Sequence, residues 1–172
     1  MNKITKDLLK YVKPSATLAI NEKSNQLKKE GKKIYNFGFG QSPFPIPNSI
    51  VEELKKNAHQ KNYLPVQGLI DLRTSVASYL NKRSKCDFKP EDILIGPGTK
   101  ELMFLTHIAF NGEVILPAPS WVSYEPHGII GGNKIHWIKT TKYTNWFPTA
   151  EQIEDTAKKI KNKNLLLFLN SP

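Results

Sequence analysis

The chain has 172 residues, 39% of them hydrophobic, which is enough for a domain with a real core and too apolar for a disordered segment. Its formal charge of +10 would suit an acidic partner, yet the cations are mostly lysines on the polar sides of predicted helices, as at Lys28-Lys29, Lys32-Lys33 and Lys158 to Lys163; a solvated surface is expected, with no nucleic acid as partner. No apolar run reaches the length of a membrane-spanning helix, the N-terminal residues lack a signal-peptide core, and Cys86 alone can build neither an intrachain disulfide nor a cysteine-rich metal site, so a cytoplasmic protein without a membrane partner is expected.

Residues 1 to 14 read as a basic, loosely structured arm ending at Pro14. Ser15 can cap a helix that runs through Ile20, Ser24 and Leu27 and stops at Gly31. Ile34-Tyr35-Asn36-Phe37 reads as a short strand, and Gly38 to Pro47 as a shaped loop in which glycines and prolines exclude regular structure. Ser49 and Glu52 have capping-box spacing ahead of a helix with an expected buried stripe of Ile50, Val51, Leu54 and Ala58. Tyr63 to Gly68 breaks that helix, and Leu69, Leu72, Val76, Tyr79 and Leu80 mark another that ends near Asn81 to Lys85.

Ile93-Leu94-Ile95 then reads as a strand that turns at Gly96-Pro97-Gly98 into a helix opening at Thr99-Lys100-Glu101. Glycines free the turn, and a helix start offers amide donors and the positive end of its dipole, which is chemistry for an anion such as a phosphate. The helix is apolar on nearly every side from Leu102 to Phe110 and is expected to lie deep in a layered fold. Glu113 to Leu116 is a strand, followed by Pro117-Ala118-Pro119-Ser120-Trp121 and a helical segment to Gly131-Gly132. Lys134 to Ile138 is the next strand, Thr149 with Gln152 caps a helix bearing Ile153, Ala157 and Ile160, and Leu165 to Leu169 reads as a central parallel strand. Alternation of strands and helices after residue 90 predicts an α/β fold, a mainly parallel sheet with helices on both faces. Ligands in such sheets gather at the carboxyl ends of the strands, so the loops at Gly96 to Lys100, Pro117 to Trp121 and Asn170 to Pro172 are expected to share one mouth.

Six stretches in order carry a family resemblance: Ser15-Ala16-Thr17; Gly38-Phe39-Gly40 through Phe44; Tyr63 through Gly68 with Leu72-Arg73; Gly98-Thr99-Lys100; Pro117 through Tyr124; and Asn170-Ser171-Pro172. Together they resemble the N-terminal portion of a class I/II aminotransferase, a fold-type-I enzyme dependent on pyridoxal 5'-phosphate. The resemblance implies an incomplete large domain: residues 1-47 as arm, helix and loop of the small domain, and 48-172 as the N-terminal half of the cofactor-binding large domain. It also implies that Gly98, Thr99 and Lys100 hold the cofactor phosphate and that Trp121 stacks on the pyridine ring. By the same resemblance Tyr63 reaches the cofactor phosphate of a neighbouring subunit, which makes a homodimer the expected assembly, and Gly40 meets the substrate carboxylate. Gln41-Ser42-Pro43 replaces the commoner Glu-Pro-Asp beside Gly40, which bears on substrate preference.

The implied substrates are amino acids and 2-oxo acids. The lysine that carries the Schiff base, the acid facing the pyridine nitrogen and the arginine for the α-carboxylate all lie, in the family, beyond the stretch matched by Asn170 to Pro172. No catalytic residue is therefore expected in this chain, which is expected to be inactive alone and to associate with a copy of itself or with the missing C-terminal part. Lys85 is rejected as the Schiff-base lysine, since it sits in a polar helix end with no Gly-x-Arg-x-Gly following. Arg73 reads as structural, and His59, His107, His127 and His136 as too scattered for a metal site. Three alternatives stay open: another fold-type-I reaction such as a β-lyase, a non-catalytic oligomerising or cofactor-binding fragment, or the aminotransferase-like part of a transcription regulator, although the sequence carries no DNA-binding motif.

Overall fold

A computed structural model describes residues 6–35, 37, 40 and 42–170. Asn36, Gly38, Phe39, Gln41, Ser171 and Pro172, on which parts of the expected strand, loop and terminal motif fall, lie outside the described residues. Two compact units separate, Gly40–Thr99 and the remainder of the chain.

The larger unit is built on three parallel strands, β1 (Glu113–Ala118), β2 (Ile135–Lys139) and β3 (Leu165–Leu167), in the order β2-β1-β3. β1 pairs Val114 with Ile135 and Ala118 with Lys139 on one side, and Glu113 with Leu165 on the other. This corrects the expectation for Leu165 to Leu169: β3 is a half-buried edge strand among the described residues, and β1 is the central one. Val114, Ile115 and Leu116 are all at most 2% exposed, although alternate residues point to opposite faces, so both faces of β1 are covered. Val114 and Leu116 cluster with Tyr124, and Met103, Ile135, Leu166 and Phe168 pack around them.

Two helices make the crossovers, α5 (Tyr124–Gly131) between β1 and β2 and α6 (Ala150–Lys159) between β2 and β3. The chain moves outward from β1 to β2 and then back across β1 to β3, so right-handed connections put α5 and α6 on opposite faces of the sheet. α6 starts as its sequence dictates: the Thr149 hydroxyl accepts from the Gln152 amide at 3.2 Å and Gln152 Oε1 accepts from the Thr149 amide at 3.0 Å. α1 (Ala16–Lys29) likewise begins at Ser15, whose hydroxyl accepts from the Leu18 amide, and ends before Gly31 at φ +78°. The expected loose arm contains a 3-10 turn, Asp7–Tyr11, packed on α5. Ile34, Tyr35 and Phe37 are not in a strand, and none of the three described strands pairs with them.

The opening of α4 (Thr99–Ala109) follows Gly98, but Ile93 to Ile95 is extended chain without a ladder partner strand. Only the Ile95 amide is tied down, to the Gln67 carbonyl at 3.0 Å. α4 also departs from the deep burial its sequence suggests: His107 is its one buried residue, whereas Leu105 and Ile108 are about half exposed.

In the smaller unit, α2 (Asn48–Asn57) starts after Pro47, so Ser49 lies inside the helix and the expected Ser49–Glu52 capping box does not form. Glu52 instead pairs with Lys55 at 2.8 Å. Ile50 and Leu54 remain exposed, so α2 has an amphipathic stripe with no cover from the described residues. α3 (Ile70–Ser84) buries Arg73 and Ala77 and ends at Lys85 in the left-handed conformation. Arg73 reads correctly as structural: its Nη1 donates to Gln67 Oε1 and to the Pro90 carbonyl, both at 3.0 Å.

Candidate functional site

The loops that leave the three strands define the candidate site. Pro119, Ser120 and Trp121 follow β1; Asn145, Trp146 and Phe147 follow β2; Asn170 follows β3. All seven line one cavity of about 740 Å³, within the ordinary range for small-molecule sites and at the carboxyl ends of parallel strands. Two of the three expected loops thus meet there, joined by the loop after β2, which sequence reasoning did not select. The Trp-Phe pair ahead of the Thr149 cap was the available signal.

Trp121 is 36% exposed. Its ring meets Tyr124 edge-on at 5.5 Å and His127 at 6.2 Å, and Lys100 Nζ lies 5.0 Å from its centroid, a cation–π contact. Lys100 and Trp121 are therefore brought together. Tyr124 is held in turn by Phe168, stacked at 5.1 Å, and its hydroxyl donates to Asn170 Oδ1 at 3.3 Å, which links the ends of β1 and β3. Ser120 Oγ is buried without a hydrogen-bond partner, an unmet demand at the cavity wall.

Gly40, Tyr63, Gly98 and Thr99 belong to the Gly40–Thr99 unit. Gly98 has φ +117° and its amide donates to the Gly96 carbonyl at 2.7 Å. No heavy atom lies within 4 Å of where a Cβ would stand, so the backbone angle, not crowding, requires glycine here. Thr99 opens α4, whose first amides have no partner within the helix. Tyr63 is fully exposed, and Gly40 is exposed with open space beside it.

Behind Trp121 lies a pair of histidines whose role the sequence did not reveal. His107 is fully buried, stacked on Phe168 at 4.8 Å, and 6.0 Å from the ring of His127. Asn133 Nδ2 donates to the carbonyls of Phe110 and Gly112, which turns its Oδ1 toward His107 Nδ1 at 3.2 Å. That orientation puts the proton of a neutral His107 on Nδ1 and leaves buried Nε2 without a partner. Burial holds the pKa of both rings below the ordinary value, with the Asn133 hydrogen bond opposing it at His107 and the nearby His107 and Lys100 adding to it at His127. Among the described residues no group of three or more His, Cys, Asp or Glu could hold a metal ion.

A model of the aminotransferase class I and II family matches residues 32–172. The chain belongs to that family. Members of this family depend on pyridoxal 5'-phosphate. The aspartate/prephenate aminotransferase of Nitrosomonas europaea is 33% identical over 94% of this chain and 41% of its own length. The aspartate aminotransferase of Bacillus sp. strain YM-2 is 29% identical over 100% of this chain and 44% of its own. The chain thus spans less than half the length of these relatives. The structure of the aspartate aminotransferase of Thermus thermophilus with maleate superposes with a TM-score of 0.86 over 99% of this chain and 45% of that one, at 24% identity, and shows the shared fold. The chain has the parallel sheet and helices of the fold-type-I large domain and spans less than half of the structures it superposes on.

The cavity residues fit the family's cofactor in kind: an accessible indole face for a planar ring, and the Ser120 hydroxyl and Asn170 amide for polar ring substituents. Lys100 is not among the residues that line this cavity; it lines another, of about 380 Å³, with Lys13, Ser15, Ser123, Glu125 and His127.

Proposed function

We propose that the chain is the cofactor-holding part of an aminotransferase that acts on amino acids and 2-oxo acids. The observation that carries this reading is the cavity at the strand ends, in which Trp121 is accessible beside the unpartnered Ser120 hydroxyl and Asn170. Trp121 receives the pyridine ring, and Ser120 and Asn170 orient it by hydrogen bonds. Gly98, Thr99 and Lys100 hold the phosphate; the turn at Gly98 into α4 supports this, because helix-start amides and a lysine ammonium both favour an anion. When bound, the cofactor supplies an electron sink for chemistry at the substrate's α-carbon.

The chain's own residues bind and orient the cofactor. Lys100, against Trp121, adds positive charge, and the buried aromatic cluster around His107 and His127 excludes water from behind the ring. None of the residues assigned here moves a proton at the α-carbon, so the chain alone is expected to bind cofactor and to turn nothing over. Gly40 is assigned to the substrate carboxylate and Tyr63 to a neighbouring subunit's cofactor phosphate. The full exposure of Tyr63 and Val66 is compatible with a homodimer. In the complete enzyme residues 1-47 are assigned to the small domain and 48-172 to the large one, in the cytoplasm.

Equilibrium binding of pyridoxal 5'-phosphate tests the reading, with Trp121→Ala and Ser120→Ala as variants. Saturable binding that both variants weaken is expected, with amino transfer only in a protein that also carries the downstream half. Binding that neither variant changes would overturn the site; amino transfer by the chain alone would overturn the division of labour.

A further inference from the structure

Beside Trp121 stands a titratable ring to which the family resemblance gives no role. His127, on α5, meets the indole edge-on at 6.2 Å, while Lys100 Nζ, from α4, lies 5.0 Å from the centroid of the same indole. One indole therefore meets a lysine ammonium and a group that can become a second cation. The imidazole is held in place: it is 9% exposed and packs edge-on against Phe104 at 5.5 Å and His107 at 6.0 Å. Its Nδ1 is buried without a hydrogen-bond partner among the described residues, so no carboxylate pairs with that nitrogen. Lys100, by contrast, is exposed and lines the cavity of about 380 Å³ that His127 also lines. Of the other titratable groups around His127, His107 faces it from α4, Tyr11 and Lys13 share the cavity from the segment before α1, and Tyr124 and Glu125 belong to its own helix. Glu125 is the one carboxylate in that lining, and its exposure to water leaves it little power to offset the positive charges.

We propose that His127 is a positioning residue for Lys100: as a neutral ring it leaves the ammonium against Trp121, and as an imidazolium it drives the ammonium off the indole. Coupling between two charges is reciprocal. Burial first, then His107 and Lys100, hold His127 below its ordinary pKa, so an imidazolium formed there must push back on Lys100. The buried ring has no room to yield. The lysine does, because a cation–π contact of an exposed side chain is weak and its long stem can carry the ammonium elsewhere along the cavity. With His127 held below 6.5, the contact is intact at neutral pH and is lost as acidification protonates the ring. The functional weight of this movement rests on the reading of Lys100 as a holder of the cofactor phosphate; the movement itself does not.

Nuclear magnetic resonance of the isotope-labelled chain, free of cofactor, follows both groups in one pH titration. Above pH 6.5 the Lys100 ε-methylene protons are expected upfield, in the ring current of Trp121, and that upfield shift is expected to disappear with the midpoint of the His127 ring protons. His127→Phe keeps an aromatic edge without a charge and is expected to retain the shift throughout. Lys100→Gln is expected to raise the midpoint of His127, a readout that survives if His127→Phe does not fold. A shift that follows the titration of His107 instead, a loss that persists in His127→Phe, or a His127 midpoint unmoved in Lys100→Gln overturns the assignment. So does a parent chain that unfolds before Lys100 leaves the indole, since the movement would then never occur in the folded state. Failure of the parent to bind pyridoxal 5'-phosphate in a separate experiment would overturn the phosphate role of Lys100 and leave the role of His127 standing.

Discussion

The strand-centred unit and the Gly40–Thr99 unit hold their shapes by different means. β1 is buried on both faces and its neighbours close a core of Val114, Leu116 and Tyr124. The Gly40–Thr99 unit buries little apolar side-chain surface beyond Ala77 and Ile93, and leaves Tyr63, Val66 and Leu54 at 104%, 95% and 71% exposure. Its helices rest on local interactions, such as the Glu52–Lys55 and Glu53–Lys56 pairs of α2, each worth only about 0.3–0.5 kcal/mol. Its best anchor is polar: the buried Arg73 guanidinium, which bridges Gln67 and the chain at Pro90. The lesson is that a single chain can carry one region fixed by apolar packing and another whose apolar side chains stay available to something else.

Substitutions can break or sharpen that contrast. Leu116→Ala, at a fully buried position of β1, should cost about 2–5 kcal/mol in chemical denaturation. Gly68→Ala probes the tightest contact of the other unit, since a Cβ there would stand 2.6 Å from Ile95 Cβ at φ +93°. It should cost about 1–3 kcal/mol and speed hydrogen exchange in α3 more than in β1. Acidification separates the units by a different route. Burial holds His107 and His127 below 6.5, so as the pH falls through 6.5 the unfolded chain takes up more protons than the folded one. Stability should therefore decline below that pH, and His127→Phe should flatten part of the decline in a thermal-midpoint series.

Thr149→Ala removes the cap of α6 and should cost about 1 kcal/mol. Smallest of all, Leu54→Ala on α2 should stay within about 0.5 kcal/mol in the isolated chain. A larger loss there would mean that α2 is covered in solution, and sedimentation would show whether a second copy covers it.

Much of the fold was legible because its signals are local. Ser15, Gly31 and the Thr149–Gln152 box set helix ends within three or four residues of themselves, and all three act as read. The Ser49–Glu52 box failed on equally local grounds: the helix begins at Asn48, directly after Pro47, so Ser49 is already inside it. Strand readings failed where a partner was needed. Ile93 to Ile95 has the composition of a strand but pairs with no strand, and Leu165 to Leu167 has the composition of a central strand but stands at the described edge. Around the candidate site, the resemblance singled out Trp121 and Lys100, which the structure brings into contact, but it did not single out Trp146 or the histidine pair.

By itself the sequence determined the alternation of strands and helices after residue 90, the caps, the turn at Gly98 and membership of the aminotransferase family. Only the tertiary structure decided that β1 is central, that Asn133 fixes the proton on neutral His107 across 26 residues, and that Trp121, Trp146 and Asn170 line one cavity. The reason is range. Caps and turns are satisfied by neighbours in the chain, whereas strand order, buried tautomers and cavity walls are set by hydrogen bonds and contacts between residues tens of positions apart.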